Sequence, residues 1–115
     1  MTKEFRDYIF DIQEAMNDIE DFISDMSFEE FQSDKKTSNA VIRSIEIIGE
    51  AAKRVPDEVR TKYQDVPWRA MSGMRDKLIH QYTSVDLEIV WVVITQDIKP
   101  IKPVIQKIIL DLEHE

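Results

Sequence analysis

Residues 87–112 read LEIVWVVITQDIKPIKPVIQKIILDL. Over six residues, Ile89 to Ile94, the run looks like a buried strand, because β-branched side chains favour a pleated backbone. Over the whole stretch, Leu87, Trp91, Ile94, Ile98, Ile101, Ile105, Ile108 and Leu112 recur at alternating steps of four and three. That is the period of one helix face, and its persistence decides for helix. Pro100 and Pro103 should kink or divide this helix, since proline lacks the amide hydrogen and crowds the preceding turn. Val92, Val93 and Val104 add apolar surface off the main stripe.

The same period appears upstream. Phe5, Tyr8, Ile9, Ile12, Ile19, Phe22, Ile23 and Met26 form an apolar stripe with Asp and Glu on the other side. Ser27-Phe28-Glu29-Glu30 has the spacing of a capping box, in which Ser27 and Glu30 each satisfy a free amide at a helix start. A second helix, with an interruption expected near Ser33–Thr37, runs to about Val55 and turns Val41, Ile45, Ile48, Ala52 and Val55 inward. Pro56 and Pro67 bracket a polar stretch with room for one or two helical turns. A third helix starts near Pro67-Trp68, where proline suits the first turn, and carries Trp68, Met71, Met74 and Leu78. Only two Gly and four Pro punctuate the chain. The expected fold is all-α, an up-and-down bundle of four to five helices.

The chain has 115 residues and no cysteine. That length fits a single domain spanning 1–115, and excludes disulfides, thiolate metal sites and a cysteine nucleophile. A cleft of any size then calls for a second subunit, and the apolar surface outside the stripes fits a homodimer. The N-terminus lacks the apolar core of a signal peptide, and no apolar run is long enough to span a membrane. A cytoplasmic location is expected. The net charge of −8 argues against a nucleic-acid partner. It is unevenly spread: −9 over residues 1–34, +4 over 35–77 and −3 over 78–115. A basic middle in an acidic chain suits a local anion-binding face, and equally suits ordinary solvated charge.

Within that middle region and just after it, Arg75, Asp76, His80 and Tyr82 form a short polar block. On one continuous helix Arg75 and His80 would stand about 140° apart, so a shared site requires the helix to end or bend near His80, or a second subunit to bring matching groups across. A fixed arginine and a histidine, without metal ligands or cofactor, suit phosphodiester transesterification in RNA. In that reaction a 2′-hydroxyl attacks the adjacent phosphorus and the 5′-oxygen leaves. Arg75 would stabilise charge on the phosphoryl oxygens, His80 would act as general base or acid, and Asp76 would orient the guanidinium or the imidazole. Tyr82 offers a phenol to the phosphate or a face for a base. Structural roles are the alternative for each: His80 at a helix C-terminus, Arg75 paired with Asp76 or with a carboxylate on the second helix, Tyr82 half-buried. Asn39, Arg43, Glu46, Glu50 and Lys53 form a second polar line, read either as solvent-facing ion pairs or as cleft lining by Arg43, Glu46 and Glu50. Glu46 and Glu50 make a poor metal signature without a nearby histidine. Gly49 in mid-helix hints at close helix contact there.

The runs IEIIGEAAKR (45–54), VPWR (66–69) and MRDKLIHQY (74–82) resemble the HepT-like family of the HEPN superfamily of small helical toxins, with similarity over roughly residues 5–110. The resemblance implies a homodimeric, metal-independent endoribonuclease with Arg75 and His80 as catalytic residues in a cleft between protomers. Asp76 would be the polar residue after the arginine, where family members more often have Asn. The resemblance also implies a toxin–antitoxin module in which a minimal nucleotidyltransferase neutralises the toxin by transferring AMP to Tyr82. The alternative is a non-catalytic HEPN module that binds a nucleotidyltransferase or a nucleotide.

Overall fold

The computed structural model describes residues 4–80 and 84–114. In chain order it contains α1 (Phe5–Phe22), α2 (Phe28–Ser33), α3 (Lys35–Arg54), α4 (Asp57–Lys62), α5 (Trp68–Ser72) and α6 (Met74–Leu78). A two-residue ladder follows, β1 (Ile79–His80) with β2 (Ser84–Val85), and then α7 (Leu87–Val92) and α8 (Lys102–Glu113). The expected helices are recognisable but subdivided. The second is α2 plus α3, the third α5 plus α6, and the last α7 plus α8.

Each subdivision has a local cause. The first stripe was expected to reach Met26, but α1 stops at Phe22 and the chain reverses through Asp25, whose φ of 60° is the left-handed region that Asp tolerates. Ile23 and Met26 still pack against the core from the turn. Ser27 and Glu30 form the expected box: the Glu30 amide donates to Ser27 Oγ at 3.1 Å and the Ser27 amide to Glu30 Oε1 at 2.9 Å. Asp34 ends α2 and caps α3, accepting from the Thr37 amide at 3.0 Å and its hydroxyl at 2.7 Å. The Thr37 hydroxyl and amide together hold the Asp34 carboxyl below its ordinary pKa.

α3 is the central helix, packed on α1, α5 and α6. Its Val41, Ile45, Ile48, Ala52 and Val55 are all buried. It ends at Arg54 because Val55 precedes Pro56 and is pushed to an extended conformation. Arg60 caps that end: its Nη2 donates to Ala52 O at 2.7 Å, which also accepts from the Val55 amide at 3.3 Å, and its Nε donates to Val55 O at 3.0 Å.

Trp68, Met71, Met74 and Leu78 are buried on one side of α5 and α6, across a break at Gly73. Asp86 starts α7 by accepting from the Glu88 and Ile89 amides. The backbone then widens into a π-turn over 93–97, with the Ile98 amide donating to Val93 O at 2.9 Å. The prolines divide the last helix as expected: α8 restarts at Lys102, with Pro103 in its first turn. Phe31, fully buried, and Phe28 set their rings 5.2 and 6.0 Å from that of Trp91. Lys102 pairs with Glu20, joining α8 to α1. Among the described residues, Phe10, Phe22, Val92 and Leu110 are the large apolar side chains left exposed. No described helix is long and apolar enough to cross a membrane.

Candidate active site

Arg75 lies in the first turn of α6, directly after the Gly73 break, and its guanidinium reaches across to α3. Nε donates to Glu46 Oε2 at 3.0 Å, an ion pair between residues 29 apart in sequence. The Arg75 side chain is 50% exposed and that of Glu46 29%. Of the carboxylates considered for Arg75, the structure selects the one on the second helix: the guanidinium meets Glu46 rather than the adjacent Asp76. Asp76 is exposed, and its amide donates to Gly73 O at 3.1 Å.

The helix that carries Arg75 ends at Leu78. Leu78 is buried, and its carbonyl accepts from the Asp86 amide at 3.3 Å, so both ends of the 79–85 segment are tied to the same point. The backbone at Ile79 and His80 is extended and pairs antiparallel with Val85 and Ser84 respectively. His80 therefore does not sit on the same continuous helix as Arg75, and the angular separation that such a helix would impose does not apply. Tyr82 lies outside the described residues.

Close approach of α5 to α3 sets the position of α6. A Cβ built on Gly49 would stand 3.3 Å from the carbonyl oxygen of Met71 and 3.5 Å from that of Ser72. The contact hinted at by the glycine is therefore present, and one helical turn away on α3 Glu46 meets Arg75.

Arg43 and Glu50 share the polar side of α3 with Glu46 but do not join the Arg75 pair. They line a concavity of about 210 Å³ against α1, together with Tyr8, Asp11 and Arg54. Sequence reasoning passed over those three. Arg54 had a signal, because 43, 50 and 54 fall at steps of seven and four. Tyr8 and Asp11 had none, since they belong to another helix. No group of three or more His, Asp or Glu among the described residues could hold a metal ion.

The ribonuclease HepT-like family profile matches residues 12–108. A protein of Methanocaldococcus jannaschii named as a candidate RNase is 47% identical over 113 residues, covering 98% of this chain and 93% of its own. One from Thermococcus cleftensis, named as a probable ribonuclease HepT, is 44% identical over 108 residues, covering 94% and 98%. A third, from Caldanaerobacter subterraneus and also named as a candidate RNase, is 41% identical over 106 residues, covering 89% and 95%. No solved structure matches the chain significantly. A helical body of this kind, with the Arg75–Glu46 pair at a helix end and such relatives along nearly its whole length, has one placement: the chain belongs to the ribonuclease HepT-like family.

Proposed function

We propose that this chain is a metal-independent RNA endoribonuclease, the toxin of a toxin–antitoxin pair, acting as a homodimer with Arg75 and His80 in a cleft between protomers. The observation that carries the reading is the end of α6 at Leu78, two residues before His80, so that Arg75 and His80 do not share one continuous helix. The family membership and the relatives named as ribonucleases support the substrate class.

In the proposed reaction His80 takes the proton from a ribose 2′-hydroxyl, the 2′-oxygen bonds to phosphorus, and the 5′-oxygen leaves with a proton. His80 of the second protomer gives that proton. Arg75 stabilises the additional negative charge on the phosphoryl oxygens. Its bridge to Glu46 uses Nε, and half of the side chain stays exposed, so donors remain for a phosphate. Asp76 extends the polar surface beside Arg75. The exposed Phe10, Phe22, Val92 and Leu110 supply apolar surface for the contact between protomers. AMP transfer to Tyr82 by a partner nucleotidyltransferase would place bulk and negative charge two residues from His80 and exclude RNA.

The net charge of −8 favours a second reading, a non-catalytic module that binds a nucleotidyltransferase or nucleotide. Expression in a host cell separates the two. The nuclease reading predicts growth arrest that His80→Ala relieves. Arrest of equal strength with His80→Ala would remove it.

A further inference from the structure

We infer that Glu46 is a positioning residue for Arg75: by accepting from Nε it fixes the guanidinium plane and leaves the two Nη groups to meet the phosphodiester. This rests on the nuclease reading above. Arginine is flexible along its stem but rigid in its planar fork, so one well-anchored edge orients the other donors. The fork matches a phosphate's oxygens only when so oriented.

The anchoring comes from the Glu46 side. Arg75 belongs to a five-residue helix that passes at once into extended chain, and it supplies the more exposed half of the pair. Glu46 belongs to the 20-residue α3, next in sequence to Ile45, which is fully buried, and one turn from Gly49. The Gly49 contact fixes α5, and a single residue, Gly73, separates α5 from α6. The backbone approach and the ion pair thus share one origin. Fold stability is a weak explanation for the pair, because half-exposed ion pairs contribute little. A carboxylate there also opposes RNA binding, since it repels phosphate. Those two facts together separate the role from a structural one: Glu46 should weaken binding while it speeds the chemistry.

The test is steady-state cleavage of a single-stranded RNA in EDTA by the full-length protein, as wild type, Glu46→Ala, Glu46→Gln and Arg75→Ala. Loss of guanidinium orientation in Glu46→Ala should lower kcat on the order of 10- to 100-fold, while KM stays level or falls. Glu46→Gln keeps an oxygen acceptor for Nε–H and should recover most of kcat, with KM lowered by loss of the charge. An arginine Nε–H resonance absent from Arg75→Lys should be present in wild type and shift in Glu46→Ala. Wild-type kcat in Glu46→Ala, with Arg75→Ala inactive, would overturn this inference and leave the nuclease reading standing. A higher kcat in Glu46→Ala would also overturn it, by showing that Glu46 obstructs Arg75. No cleavage by wild type, with the Nε–H resonance in place, would overturn the nuclease reading and this inference with it.

Discussion

The α-carbon of Gly49 faces the carbonyl oxygen of Met71 so closely that an added Cβ would stand 3.3 Å from it, tighter than ordinary van der Waals contact. The neighbour is backbone, and it belongs to a helix held by the buried Trp68 and Met71, so it yields little. In an exposed helix, Gly→Ala would gain about 1 kcal/mol. Here Gly49→Ala should show none of that gain, and Gly49→Leu should cost upwards of about 2 kcal/mol through overpacking. Urea unfolding of the three proteins measures this. A full gain in Gly49→Ala would mean that α5 moves freely on α3.

Arg60 closes the C-terminal end of α3 through two hydrogen bonds to carbonyls. Hydrogen bonds from a charged donor contribute about 1.5–3 kcal/mol. Arg60→Ala should lose stability in that range. Arg60→Lys should recover only part of it, because one ammonium lacks the planar fork that reaches both oxygens. Equal stability of Arg60→Lys and wild type would speak against the two-carbonyl cap.

Asp34 introduces a pH dependence with a definite sign. Its carboxyl lies below the ordinary value of 3.8 because the Thr37 hydroxyl and then the Thr37 amide donate to the ionised form. A lowered folded-state pKa stabilises above the unfolded value and is lost as pH falls through the folded one. The Tm difference between wild type and Asp34→Ala should therefore be full at pH 6 and shrink as pH drops below 3.8. A difference that stays constant to the acid limit of folding would assign the effect to something other than this cap.

Tyr82 bears on the proposed antidote. If AMP transfer to its phenol silences the toxin, Tyr82→Phe should escape neutralisation by the cognate nucleotidyltransferase while retaining growth arrest. Intact mass should show an adenylyl adduct on wild type and none on Tyr82→Phe. An adduct of equal extent on both would place the modification elsewhere.

The sequence carried the local parts of this structure well. The Ser27–Glu30 box, the Val41–Val55 stripe, the stop at Pro56 and the division of the last helix by its prolines all depend on spacing along one segment. Their physics is short-range, and the pattern records it. The π-turn at 93–97 is less legible, because Val92 and Val93 satisfy a helical period whether the ladder is i→i−4 or i→i−5. The early end of α1 was missed because Ile23 and Met26 keep the stripe's spacing while packing from a turn. The candidate site was half readable. Arg75 and His80 stood out by residue type, and geometry asked either for a helix end or bend near His80 or for matching groups from a second subunit. Glu46 was one member of a polar line with two readings. Only the fold, which brings residues 29 apart into contact, selects it over Arg43 and Glu50.

The central claim is metal-free attack by a ribose 2′-hydroxyl, with His80 moving the proton. Its most direct test is cleavage in EDTA of an RNA oligonucleotide and of the same oligonucleotide carrying a single 2′-deoxy substitution at the mapped cut. Wild type should cut the RNA, leave a 2′,3′-cyclic phosphate and spare the substituted bond, and His80→Ala should cut neither. Cleavage at the 2′-deoxy position, or products bearing a 5′-phosphate, would contradict the account.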